Sequence, residues 1–111
     1  MPTKNAVRAD LNRLRKLCKS INTIEYYHVS SGEPIQDSPL EEQLTGLTAK
    51  RDKIYKRYAP GIDTLDPTEA LIFTLYYLEG NTQKQVATKT NYSKSSITKH
   101  LAKIELFMSK K

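Results

Sequence analysis

The stretch "GNTQKQVATKTNYSKSSITKHL", residues 80–101, predicts two helices joined by a tight turn. Thr82 and Gln85 have the spacing of a capping box, which begins a helix by satisfying free backbone N–H groups. Ser93 is suited to cap a second helix, and Asn91 tolerates the positive φ of the turn better than any residue except glycine. A short helix, a tight turn and a second helix together form a helix-turn-helix.

Apolar residues give this segment one side on which to pack. Ala87 is small where the two helices must approach closely, and Ile97 begins a stripe that continues with Leu101, Ile104 and Met108. This stripe predicts that the last helix runs from Ser93 towards the C-terminus with one face buried.

The opposite face of the last helix is polar when residues are placed at about 100° intervals around its axis. Small hydroxyls and lysines in the first turns of a helix suit the DNA major groove, and the preceding helix of this motif crosses the phosphate backbone. An ordinary solvated face is the alternative. We expect base contacts from Lys94, Ser95, Ser96, Thr98, Lys99 and Lys103, and phosphate contacts from Thr82, Lys84, Lys89, Ser93 and His100.

The charge of the chain is concentrated in the same segment. Residues 82–111 carry seven lysines and one acid, Glu105, which accounts for the whole formal net charge of +6. Residues 1–81 contain eleven basic and eleven acidic side chains and are therefore balanced. An imbalance confined to one segment indicates a polyanionic partner, and we expect double-stranded DNA.

Three further helices are predicted upstream. Apolar steps of three and four predict a helix from about Asn5 to Val29, and "SSGEPIQDSP" is a break. A second helix begins with Ser38 as N-cap and Pro39 at its first position, and ends at Pro60-Gly61.

The third helix begins with "DPTE", in which Asp66 caps and Glu69 returns the capping bond. Its apolar run, residues 70–78, is wide enough to be buried on most sides, and Gly80 ends it. We expect an all-α fold with an antiparallel helical hairpin in residues 1–61 and a three-helix helix-turn-helix domain in residues 65–111.

Residues 65–101 resemble region four of bacterial sigma factors. The matching residues are Tyr77, Glu79, Gly80, Ala87, Ser93 and Ile97, with Asn91 in place of the usual glycine. The whole chain also resembles small phage regulators of the ArpU-like kind, whose "SG-P---S" break corresponds to Ser31, Gly32, Pro34 and Ser38. The resemblance implies a phage or prophage transcription regulator with a helix-turn-helix.

Other chemistries find little support in the sequence. Cys18 is the only cysteine, so no intramolecular disulfide is expected, and it lacks metal-ligand spacing with His28 and His100. With no nucleophile motif and no Gly-rich phosphate loop, we expect neither an enzyme nor a cofactor. No leader and no run of membrane-spanning length is found, which predicts a soluble, cytoplasmic protein without a membrane partner.

The sequence leaves two functional alternatives open. One is an adaptor or inhibitor that binds RNA polymerase, and the other is a small DNA-binding subunit of a phage packaging terminase. We also expect a homodimer through coiled-coil packing of the hairpin, unless the helix-turn-helix covers the apolar side chains of the hairpin instead. Leu106 and Phe107 lie off the main stripe and either dock on the hairpin or meet another subunit.

Overall fold

The computed structural model describes residues 3–31 and 39–110, and within these ranges it is helical and contains no strand. The predicted all-α fold is confirmed. The elements are α1 (Lys4–Ser31), α2 (Pro39–Ile62), α3 (Pro67–Phe73), a π-helical segment (Thr74–Leu78) that continues α3, α4 (Gln83–Thr90) and α5 (Lys94–Ser109).

The structure describes only part of the predicted break between α1 and α2. Gly32, Pro34 and the predicted cap Ser38 lie outside the described residues, whereas Pro39 is the first residue of α2, as predicted. The predicted stop at Pro60-Gly61 is early, because α2 continues through both residues to Ile62. Proline in a last turn removes one hydrogen bond but leaves the following ones intact, and the N–H of Asp63 still donates to the carbonyl of Ala59 at 2.9 Å.

Helices α1 and α2 pack antiparallel. Near one end of the pair, the Asp10 carboxylate accepts hydrogen bonds from Arg57, at 2.9 Å, and from the Tyr58 hydroxyl. Towards the other end, Thr23 and Leu47 border the same cleft. Burial, together with the bond to Asp10, raises the pKa of Tyr58 to about 12, so that the phenol stays protonated and keeps donating at neutral pH.

Three apolar side chains near the start of α1 are covered by the other helices of the chain. Val7, Leu11 and Leu14 have no exposed surface and belong to one core cluster with residues of α2, α3, α4 and α5. Each such side chain stabilises the fold by about 1.5–3 kcal/mol. The sequence left open whether a second hairpin or the helix-turn-helix of the same chain covers these residues. In the structure they are covered by helices of the same chain. Phe107 packs partly buried against this core, whereas Leu106 is exposed.

Helix α3 begins as the sequence predicts but continues differently. Asp66 accepts a hydrogen bond from the N–H of Glu69 at 2.8 Å, and Pro67 is the first helical residue. The bond at this cap comes from the backbone of Glu69, not from its side chain. The predicted burial on most sides is wrong for Leu71, which is 50% exposed. The helix also does not stay α-helical along its length: it widens into the π-helical segment, where the N–H of Glu79 donates to the carbonyl of Thr74 at 2.9 Å.

The carboxyl end of the π-helical segment is held by α1. Gly80 has a φ of +76°, as its predicted role requires. The Arg15 guanidinium donates to the carbonyls of Tyr76 at 3.1 Å, Gly80 at 3.3 Å and Asn81 at 3.0 Å. It also lies 4.4 Å from the centre of the Tyr76 ring. Arg15 therefore satisfies carbonyls that a helix end leaves without partners, and it fixes the direction in which the chain enters α4.

Candidate nucleic-acid interface

Helix α4 begins with a complete capping box. The Thr82 hydroxyl oxygen accepts from the N–H of Gln85 at 3.1 Å, and the Gln85 side chain accepts from the N–H of Thr82 at 2.8 Å. This confirms the capping predicted from "TQKQ" and sets the orientation of a helix only eight residues long.

The turn between α4 and α5 is closed by local interactions. Asn91 has a φ of 61°, the only positive φ of a non-glycine residue in the described ranges. The Ser93 hydroxyl oxygen accepts from the N–H of Ser96 at 3.1 Å and caps α5. Both assignments match the sequence prediction, and together they complete the helix-turn-helix.

The buried side of α5 anchors it on the core. Ile97 and Ile104 have no exposed surface, Leu101 and Met108 are 6% and 1% exposed, and Ala87 of α4 is also buried. The predicted stripe is confirmed. Since α5 can roll only by exposing this stripe, its opposite face is held in a fixed direction.

The residues predicted to face DNA bases lie along the outer side of α5. Ser96 is half-buried, and the others are exposed: Lys94, Ser95, Thr98, Lys99 and Lys103. The Thr98 hydroxyl donates to the Gln83 side chain at 2.8 Å, which ties the middle of α5 to the first turn of α4. The structure thus brings the predicted residues onto one surface, and their contacts with bases stay a prediction.

The residues predicted to contact phosphates are less uniform. Lys84 and Lys89 are exposed on α4, and the Lys89 ammonium donates to the Asn81 side chain at 3.1 Å. Thr82 and Ser93 are exposed caps whose oxygens already accept backbone N–H groups, so a phosphate would have to be bound through their hydroxyl protons.

His100 has different surroundings from the other predicted phosphate ligands. It is half-buried against Tyr92, with ring centres 5.7 Å apart, and its Nδ1 is buried without a hydrogen-bond partner among the described residues. Only the outer part of the ring can therefore reach a ligand at the surface.

The single acid of the lysine-rich segment does not face solvent with the lysines. The Glu105 side chain is 12% exposed and accepts a hydrogen bond from Nε of Arg8, on α1, at 3.1 Å. The described lysines of the segment are all exposed: Lys84, Lys89, Lys94, Lys99, Lys103 and Lys110. The charged side chains exposed on α4 and α5 are therefore all lysines, which sequence counting alone could not establish.

Three residues near this surface were not predicted from the sequence: Arg8, Arg15 and Gln83. Gln83 occupies the first turn of α4, where its spacing to Thr98 carries no motif. Arg8 and Arg15 belong to a polar row on α1 that continues with Lys19 and Asn22 at helical spacing. The spacing of that row could have indicated that a second face of α1 is packed. It could not have identified the hydrogen-bond partners of these residues, because the partners lie more than fifty residues away in the sequence.

Within residues 3–31 and 39–110, no three His, Cys, Asp or Glu side chains are grouped as a metal ion would require. Cys18 is a buried free thiol, and burial raises its pKa. None of the described helices has the length and apolar character needed to cross a membrane.

In a comparison with known proteins, a segment in the carboxyl half of the chain matches one protein family. No curated protein and no solved structure matches the chain. Residues 61–104, which extend from the last turn of α2 into α5, match the family described as sigma-70, region 4. The match covers less than half of the chain. This part of the chain is therefore similar to region 4, and the geometry of α4 and α5 agrees with a helix-turn-helix of the DNA-binding type.

Proposed function

We propose that the protein is a sequence-specific regulator of transcription that binds double-stranded DNA. The observation that carries this proposal is the surface of α4 and α5, on which five lysines are exposed while the one acid of the segment is buried. A helix-turn-helix surface whose exposed charges are all positive is complementary to the phosphate backbone on both sides of a major groove.

In this proposal the first turns of α5 lie in the major groove. Ser96 and Lys99 face the base edges, because they lie on the outer side of the helix and close to its N-terminus. Lys84 and Lys89 of α4 contact phosphates, which position the protein without selecting a sequence.

Selection of bound sequences from a random duplex library tests the proposal. We expect one short motif to be enriched, and affinity for that motif to exceed affinity for a scrambled duplex by at least about a thousandfold. Recovery of no motif, with equal affinity for all duplexes, would contradict sequence-specific regulation.

Four alanine variants then test the placement of the groove-facing residues. Lys99→Ala and Ser96→Ala should reduce the preference for the selected motif, each good base contact contributing about 1–3 kcal/mol of discrimination. Lys84→Ala and Lys89→Ala should weaken binding to all duplexes alike. Uniform loss in all four variants would show that the groove-facing side of α5 is placed wrongly.

An RNA polymerase-binding adaptor or inhibitor is the alternative function, and the library selection separates it from the proposal. An adaptor would bind DNA weakly and without sequence preference. A packaging subunit would bind DNA as part of a large ring, so the size of the assembly in solution distinguishes it.

The origin and the oligomeric state belong to this proposal as well. Assignment to a phage or prophage rests on the resemblance to ArpU-like regulators. The predicted homodimer would need a surface other than Val7, Leu11 and Leu14, because these side chains are covered within the chain. Light scattering at micromolar concentration tests for the dimer.

A further inference from the structure

Helix α1 borders the outer surface of the helix-turn-helix through a small polar cleft. The cleft has a volume of about 170 Å³. One wall contains Arg8 and Asn12 of α1, and the other contains Gln83, Thr98 and Ala102. Ala102 and Thr98 lie on or beside the side of α5 that the proposed function assigns to the DNA groove. The polar residues of α1 are therefore immediate neighbours of that surface.

Arg8 has free hydrogen-bonding capacity at this rim. Its side chain is 51% exposed, and only its Nε is used within the described residues, in the bond to Glu105. The two terminal nitrogens of the guanidinium keep their N–H donors, and a planar guanidinium matches two oxygens of one phosphate. Glu105, itself nearly buried, holds the side chain in place and reduces the entropy that Arg8 would lose on binding.

The charge of α1 favours the same partner. Within Lys4–Ser31 there are six basic and two acidic residues, so α1 is positive although residues 1–81 are neutral in total. One of the two acids, Asp10, bonds to α2 on the other side of the helix. On the side of α1 that faces the helix-turn-helix, Arg8, Asn12, Arg15 and Lys19 are all basic or neutral.

We propose that α1 is a second DNA-contacting element, in which Arg8, positioned by Glu105 and flanked by Asn12, binds a backbone phosphate beside the groove occupied by α5. This inference rests on the proposed function. It assigns to the N-terminal hairpin a part in DNA binding in addition to its part in the core. Because the contact is to phosphate, it contributes equally on specific and non-specific duplexes.

Removal of Arg8 tests the inference, with Arg13 as the matched control. Arg13 is an exposed arginine on the same helix that lies away from the cleft. We expect Arg8→Ala to raise Kd about 5- to 20-fold on both selected and scrambled duplexes, and to reduce the magnitude of the salt slope by about 1. Arg13→Ala should change Kd less than about twofold, and equal losses in the two variants would overturn the inference.

If circular dichroism shows that Arg8→Ala is unfolded, two variants that each add an arginine to α1 test the inference instead. Asn12→Arg adds a guanidinium to the cleft, whereas Ser20→Arg adds the same charge on a part of α1 that borders α2. We expect Asn12→Arg to tighten binding about 3- to 10-fold and to increase the salt slope by about 1, with less than about a twofold change for Ser20→Arg. Equal effects of the two arginines would overturn the inference.

The wild-type protein separates this inference from the function on which it rests. A wild-type chain that binds no duplex contradicts both. A wild-type chain that binds duplex DNA while Arg8→Ala and Asn12→Arg behave like their controls contradicts only the contact by α1.

Discussion

The two turns on either side of α4 are built in different ways. The turn between α4 and α5 is closed by residues within three positions of one another, with Asn91 at positive φ and Ser93 as cap. The turn between the π-helical segment and α4 has local bonds from the N–H and the side-chain amide of Asn81 to the carbonyl of Leu75. It is also held by Arg15, which is sixty-one to sixty-six positions away from the carbonyls it binds. The turn after α4 is therefore held by local bonds, and the turn before α4 also uses a residue of α1.

The two turns therefore differ in how much of their support can be identified in the sequence. A local turn keeps its residue pattern wherever the motif occurs, so it can be identified in a sequence. A turn held by a distant arginine depends on the packing of one particular hairpin. The helix-turn-helix here therefore includes α1 as a physical component, which implies that damage to α1 should reach the DNA-binding surface.

The largest expected effect comes from a charge placed between α1 and the other helices. Leu14 has no exposed surface, so Leu14→Asp buries a carboxylate without a partner and should destabilise the fold by about 4–5 kcal/mol or more. Ala9→Asp introduces the same group at an exposed position of α1 and should cost less than about 1 kcal/mol. Urea denaturation followed by circular dichroism measures both. A folded, monomeric Leu14→Asp protein would show that α1 is not part of the core.

A methyl group at Gly80 should be the next most damaging change. It forces a non-glycine residue into a φ of +76° and places Cβ 2.4 Å from Cγ of Lys19. We expect Gly80→Ala to cost about 2–4 kcal/mol, of which about 1–2 kcal/mol is backbone strain.

Two control variants separate the causes at Gly80. The double variant Lys19→Ala/Gly80→Ala removes the clash with the Lys19 side chain. It should therefore recover the stability lost to the clash and keep only the loss caused by backbone strain. Gly46→Ala, in α2, meets no atom within 4 Å and should stabilise the protein by about 0.5–1 kcal/mol. Loss of stability in Gly46→Ala equal to that in Gly80→Ala would contradict the explanation.

Removal of Arg15 should have an intermediate effect. Arg15→Ala leaves three carbonyls without their charged donor and should destabilise the protein by about 1.5–3 kcal/mol. Arg15→Lys keeps the positive charge but not the planar arrangement of N–H donors, and it should lose part of the same stabilisation. Arg13→Ala, at an exposed neighbouring position, should stay within about 0.5 kcal/mol of the wild type. Chemical denaturation that gives equal values for Arg15→Ala and Arg13→Ala would contradict the role of Arg15.

The smallest expected effect lies in the local turn. Asn91→Gly relieves the strain of a φ of 61° and should change stability by no more than about 0.5 kcal/mol, in the stabilising direction. This change should add independently to Arg15→Ala, because the two residues serve separate turns. Gly80→Ala and Arg15→Ala act on one turn and should not be additive. A double-mutant cycle on each pair measures the difference.

The sequence predicted those parts of the molecule that are decided within a few residues. The caps at Asp66, Thr82 and Ser93 and the positive φ of Asn91 are local, and the stripe beginning at Ile97 follows from helix periodicity. The widening of the helix at Thr74–Leu78 could not be predicted, because its hydrogen bonds differ from those of an α-helix without a distinct residue pattern. The pairing of Arg8 with Glu105 and of Arg15 with the carbonyls depends on how α1 packs, which no local rule gives.

The salt dependence of DNA affinity tests the central claim most directly, since that claim is that the positive surface of α4 and α5 binds the backbone of duplex DNA. Fluorescence anisotropy with the selected duplex, repeated from low to moderate salt, gives the slope of log affinity against log salt. If the surface neutralises roughly four to six phosphates, the slope should be about −4 to −5. A flat response to salt would contradict the account, because a contact made through lysines and phosphates must release counterions.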